Sequence, residues 1–227
     1  MPLVILACRV LQSLMEPYLR EAAIPATFLE YGLHRTPSLM VAALQEEIDR
    51  LAEPSIILLG YGLCGNSVVG LKAQQHTLIV PRADDCITLL LGSYQRYLEE
   101  FSAEPGTYYL TKGWLESGSH PLKEYRDLVE KYDPASADWI LDEQYRNYRR
   151  LVLVAPSQAE LDAYRHQALE VAVFCAGRWG FRYEERIGSD EFIKQLVTEA
   201  HRLRESTDDF LVIPPGGEIK QEMFWRE

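Results

Sequence analysis

The sequence lacks the signatures that would name a reaction at sight. No G-x-S-x-G, P-loop or H-E-x-x-H occurs, so serine hydrolases, P-loop NTPases and zincin proteases have no support in it. No C-x-x-C pair occurs among the four cysteines, which stand at positions 8, 64, 86 and 175. That removes the usual spacing of structural zinc sites and dithiol redox motifs. No apolar run approaches the about 18 residues that a membrane-spanning helix needs. Positive charge is short: 23 Lys and Arg stand against 34 Asp and Glu, for a formal charge of −11. A chain of that balance repels phosphate backbones, which argues against nucleic acid as a general partner. Repeats and low-complexity tracts are also missing. Residues 1–20 have no basic n-region and no small-residue cleavage site after the apolar run, so they read as a first strand and helix of a cytoplasmic protein rather than a leader. In that compartment scattered cysteines are free thiols or metal ligands rather than disulfides.

What is present is alternation. With 227 residues, 47% of them hydrophobic, the chain can bury one ample core, and a single domain over residues 1–227 is the expectation. Short apolar runs at 3–7, 26–31, 55–59, 77–80, 107–110, 151–155, 181–187 and 210–213 read as strands, the first being continuous enough to be buried on both faces. Helical patterns fill 11–21, 39–51, 86–101, 158–176 and 190–204. The pattern predicts an α/β fold with a mainly parallel sheet, helices on both faces, and a polar, tyrosine-rich helical excursion near 117–150.

Ligands of open α/β sheets bind outside the carboxyl ends of the strands, so the residues that follow each strand are the candidates. Cys8 follows the first strand, His34 the second, and Tyr61, Cys64 and Asn66 the third. Arg82, Asp84, Asp85 and Cys86 follow the fourth, and Lys112 and Trp114 the fifth. Cys8, Cys64 and Cys86, with His34 as a fourth donor, would suit zinc or another thiophilic metal. Arg82 and Asp85 would orient a small polar substrate beside the thiols, Asp85 as a general base, with Lys112 and Trp114 closing the pocket. Asp84 or Asp85 also reads as the N-cap of the next helix, and the Arg82 cluster as a structural ion pair. Cys175 sits on an apolar helix and reads as core. His76, His120, His166 and His201 lie in polar surroundings and read as surface residues.

Gly60, Gly62 and Gly65 spell G-x-G-x-x-G after a strand, and Asp84 follows at about the distance of a ribose-binding acid. A nucleotide-binding module using Gly60, Gly62, Gly65 and Asp84 is therefore an alternative, and Gly62, Gly65, Asn66 and Trp114 are the cofactor-binding candidates. The segment after the turn is short for the helix such a site requires, and Gly70 interrupts it. The plainer reading is a tight turn that presents Cys64.

Five ordered motifs, ILAC near the start, LHRTP, YGLCGN, PRADDCITLLLGS and PGTYYLTKGW, make the chain similar to a family catalogued as a domain of unknown function, number sixteen thirty-eight. The resemblance implies company with corrinoid-dependent methyltransferase systems, hence a role in one-carbon or corrinoid-linked metabolism. It implies either zinc-thiolate-assisted methyl or thiol chemistry, or a non-catalytic partner of a corrinoid protein or methyltransferase, docking through residues 121–150. The family's motifs hold Cys8, His34, Cys64, Arg82, Asp85 and Cys86, the residues that the strand ends gather.

Overall fold

The computed structural model describes residues 1–33 and 36–226. Eight strands and nine α-helices occur among the described residues, and the chain divides into two compact units, Met1–Tyr94 with Asp190–Glu227, and Gln95–Ser189. The fold is α/β, with the predicted strands in place but shared between two sheets. No helix among the described residues is long and apolar enough to cross a membrane.

The first unit carries five strands: β1 (Leu3–Cys8), β2 (Ala26–Leu29), β3 (Ile56–Gly60), β4 (Thr77–Pro81) and β8 (Phe210–Ile213). Their order is β2-β1-β3-β4-β8, parallel except that β8 runs antiparallel to β4. After β2 is laid on one side of β1, the chain crosses over and lays β3 on the other side. Such a reversal opens a crevice at the carboxyl ends of β1 and β3, where ligands of doubly wound sheets bind.

Both faces of this sheet are covered. The face formed by Leu6, Ile57, Leu59, Leu78, Val80, Leu211 and Ile213 packs on Met40, Leu44 and Ile48 of α2 (Pro37–Asp49). The opposite face carries α1 (Gln12–Ala22), and a Cβ on Gly60 would stand 2.5 Å from the Cβ of Ala7, its partner on β1, and 3.4 Å from the Met15 sulfur of α1. Glycine at position 60 is thus set by the close approach of Ala7 across the β1–β3 pair. The predicted helix at 86–101 is broken at Gly92, whose φ of +89° ends α3 (Cys86–Leu91) before α4 (Tyr94–Ala103) begins. The C-terminal segment lies along the β3–β4 connection: Gly70 N–H donates to Ile219 O at 2.9 Å, Ile219 N–H to Leu71 O at 2.9 Å, and Ala73 N–H to Gly217 O at 2.9 Å. His76 is no surface residue. It is 1% exposed, and its Nδ1 accepts from the Ser55 N–H at 3.2 Å.

The second unit has a parallel sheet β5-β6-β7, from β5 (Thr107–Leu110), β6 (Arg150–Ala155) and β7 (Arg182–Ile187). Between β5 and β6 lies the helical excursion: α5 (Lys112–Ser117), α6 (Pro121–Lys131) and α7 (Pro134–Tyr145). Each begins on a side-chain cap, Thr111, His120 and Asp133 accepting from Trp114, Lys123 and Ser136 N–H. The long helix α8 (Gln158–Trp179) then packs Leu161, Ala168, Val171 and Cys175 on the sheet, and Cys175 is core as its setting predicts. The remaining helix, α9 (Glu191–Thr198), belongs to the first unit and packs on α1.

Arg150 holds the second unit together electrostatically. Its guanidinium is 3% exposed and meets Glu100 at 2.9 Å, Glu184 at 3.2 Å and Thr107 Oγ1 at 2.9 Å. Arg186 also pairs with Glu100 and Glu184, so removing the Arg150 cation costs its own charge-assisted hydrogen bonds, about 1.5–3 kcal/mol, rather than leaving the acids unpaired. Arg150→Ala is therefore expected to lower the stability of this unit by that amount in urea unfolding.

Candidate functional site

Cys8 is the last residue of β1, and the β1–β3 register, Ala7 opposite Gly60, brings it beside Tyr61. From Tyr61 the chain enters a turn that lies against the turn after β4. Leu63 N–H donates to Ala83 O and Cys64 N–H to Asp84 O, both at 2.8 Å. Gly62 makes this apposition feasible, since a Cβ there would lie 2.7 Å from Ala83 O and 3.0 Å from the Asp85 backbone nitrogen. Cys64, Gly65 and Asn66 then run through the left-handed region at φ +47°, +64° and +71°. For Cys64 and Asn66 that conformation carries strain, which the surrounding hydrogen bonds hold in place. The Ser67 hydroxyl adds one, donating to Cys64 O at 2.7 Å.

The result is one cluster at the carboxyl edge. Cys8, Cys64 and Cys86 interact electrostatically with one another, Asp85 with Cys64 and Cys86, and Tyr61 with Cys8 and Cys64. The three cysteines are half-buried free thiols. Burial raises all three thiol pKa values. Cys64 is pushed up to about 12, with the Asp85 carboxylate adding to burial and the Gly62 and Cys86 backbone N–H groups opposing it. Cys86 is held well above its ordinary value by burial and by Asp85. The thiols are therefore protonated until something positive offsets the cost of the thiolate.

Asp85 is the N-cap of α3, accepting from the Ile87 N–H at 2.8 Å. Burial nevertheless raises its pKa to about 6, against the lowering by the Ile87 and Thr88 N–H groups. Tyr61 is 3% exposed, and its hydroxyl, like the Thr88 hydroxyl, is buried without a hydrogen-bond partner among the described residues. Phenylalanine would serve the core equally well, so the unmet hydroxyl adds weight to Tyr61 among the strand-end candidates. Arg82 is clasped to the chain end: its guanidinium donates to Trp225 O, while Arg226 Nη2 donates to Arg82 O at 2.7 Å. The aromatic pair in MFWRE after a Pro-Pro-Gly-Gly turn is the only sequence signal of that tail docking.

The other sequence candidates fall elsewhere. His34 lies outside the described residues. Lys112 and Trp114 belong to α5 of the second unit, where the Lys112 ammonium stands 5.8 Å over the Tyr164 ring. Gly65 and Asn66 face open turn, and no helix follows them: residues 64–70 are turns, so the helix N-terminus of a dinucleotide site is missing behind the glycines. Among the described residues no three His, Cys, Asp or Glu side chains are placed to ligate one metal ion.

Because Asp85 has its folded pKa raised, it favours the fold fully below its unfolded value near 3.8, and that advantage is lost as pH rises through about 6. Asparagine keeps the cap and never ionises. In chelator-treated protein, Asp85→Asn is expected to gain about 2–3 kcal/mol over wild type between pH 4 and pH 7. Denaturant titrations at the two pH values measure it, and a difference independent of pH refutes it.

A family model described as "Protein of unknown function (DUF1638)" matches residues 28–197, which include Cys64, Arg82, Asp85 and Cys86. No curated protein and no solved structure matches the chain.

Proposed function

We propose that this chain, which belongs to the DUF1638 family, binds a small polar molecule over the Cys8–Cys64–Cys86 thiols at the carboxyl edge of its five-stranded sheet, in one-carbon or corrinoid-linked metabolism. The observation that carries this reading is the meeting of three thiols from three separate strand ends at a topological switch point. A structural core has no need of three ionisable thiols there, nor of an unpaired phenol and a carboxyl with a raised pKa beside them.

Zinc or a like thiophilic ion is the group whose chemistry suits this donor set, and when bound it would hold thiols as thiolates and act as a Lewis acid toward the ligand. The described residues as placed do not form a ligating set of three, so the roles assigned to the protein rest on its own groups. Cys64 is the nucleophile or ligand of first choice, because the Gly62 and Cys86 N–H groups are aimed at its sulfur. Asp85 can accept a thiol proton only once a bound positive charge has brought the thiol down, and Tyr61 can donate to an oxygen or thiolate of the bound complex. Arg82 orients the ligand from the end of β4.

The corrinoid connection rests on the family resemblance, and a second reading follows from it: a non-catalytic partner that docks through α6 and α7. Trp139 on α7 is 67% exposed, an uncommon exposure for an indole without a partner.

Protein purified anaerobically is expected to carry about one thiophilic metal per chain by elemental analysis, with Cys64→Ser losing it by at least roughly tenfold. No metal, together with Cys64→Ser that is unchanged in metal uptake and in thiol alkylation, overturns the thiol-site reading. Co-purification of a corrinoid protein that survives loss of all three thiols, but not replacement of residues 121–145, favours the docking reading instead.

A further inference from the structure

Beside the thiol cluster, on the same edge of the first unit, lies a cavity of about 830 Å³ lined by Arg82, Asp208, Glu222, Trp225 and Arg226. Cavities of roughly 300–1,000 Å³ are the size that small-molecule ligands occupy. Its wall is unusual in charge. Among the described residues two arginines line it with two carboxylates, and the one uncharged lining residue is an indole that is 66% exposed.

The arginines are held but not saturated. Each is fixed by a reciprocal clasp, Arg82 to Trp225 O and Arg226 to Arg82 O, and Arg226 also stacks at 3.7 Å over the Tyr94 ring and stands 3.8 Å from Asp209. A guanidinium offers five donors. The Nε of both Arg82 and Arg226 is buried without a hydrogen-bond partner among the described residues. Those nitrogens lie too deep for a ligand, but the Nη1 of each arginine is engaged by no partner among the described residues and is the donor left for an incoming oxyanion. A simple anion, however, would also meet the Asp208 and Glu222 that line the cavity, and a simple cation would meet the guanidinium groups.

We propose that this cavity binds a small zwitterion of the amino-acid class, its carboxylate on Arg82 and Arg226 and its ammonium on Asp208 and Glu222, with the Trp225 indole covering its apolar part. The proposal rests on the reading of the carboxyl edge as the binding edge and names the ligand class that edge would take. Arg82 serves both, as the residue that joins the cavity to the β4 end. The C-terminal segment is then part of the binding site, because Glu222, Trp225 and Arg226 are among the described lining residues.

The test is calorimetric titration of the full chain with each of the common α-amino acids, with acetate and methylammonium as single-charge controls. At least one amino acid is expected to bind with a Kd below about 1 mM, while neither control gives heat at the same concentration. Asp208 is exposed, so Asp208→Asn should fold normally, and it is expected to weaken that binding by roughly tenfold. Arg226→Gln should abolish it, with melting measured alongside because the clasp is also lost. Acetate binding as tightly as any amino acid, no amino acid binding at about 10 mM, or Asp208→Asn binding like wild type each overturns the proposal. The metal and alkylation assays read the cysteines and this titration reads the charged cavity, so either reading can fail alone.

Discussion

Two hydrogen bonds, Leu63 N–H to Ala83 O and Cys64 N–H to Asp84 O, bind the turn after β3 to the turn after β4. Much of the candidate site depends on them. They require a glycine at position 62, because any side chain there would strike the Ala83 carbonyl and the Asp85 backbone. They also hold Cys64 in a left-handed conformation that a cysteine does not adopt unaided. With the two turns joined, the sulfur of Cys64 lies by the N–H of Cys86, and Asp85 is drawn in against both thiols. The glycine motif thus serves backbone against backbone, and the donors that a phosphate would need at Leu63 and Cys64 are already engaged.

The strand order supplies the rest. Since β1 and β3 are neighbours whose connections leave in opposite directions, Cys8 arrives beside Tyr61 although more than fifty positions of sequence separate them. Burial then acts on everything gathered there in one direction, favouring neutral thiols, a neutral carboxyl and a protonated phenol. Under the proposed reading, the groups of such a site stay neutral until a ligand brings positive charge. On its far side the C-terminal segment, pinned along the β3–β4 connection, carries Trp225 and Arg226 to Arg82 and walls a cavity of balanced charge.

Legibility followed range. The apolar runs of β1, β3, β4 and β6 were visible because a strand buried on both faces needs consecutive apolar residues, and the Asp85 cap because a carboxylate before a helical run is local. The break between α3 and α4 carried its own sign in Gly92. His76 was misjudged because Gln74, Gln75 and Thr77 around it are polar, whereas its burial depends on Ser55 at the head of another strand. Tyr61 was noticed at a strand end but not weighed as a site residue, since an unpaired hydroxyl is a fact about neighbours. The division into two units was hidden for a similar reason: strand patterns say nothing of which sheet each strand joins, and the return of residues 190–227 to the first unit is a long-range event.

The sequence by itself determined the α/β class, the positions of the strands, and the carboxyl edge as the place where chemistry-bearing residues collect. These follow from periodicities of two and 3.6 residues and from what ends each run. Only the tertiary structure decided which of those residues meet: Cys8 with Tyr61, Cys64 with Cys86 and Asp85, and Arg82 with the chain's own end. Pairing of that kind is set by strand order and by which backbones can approach closely, and neither is written in any local stretch of residues.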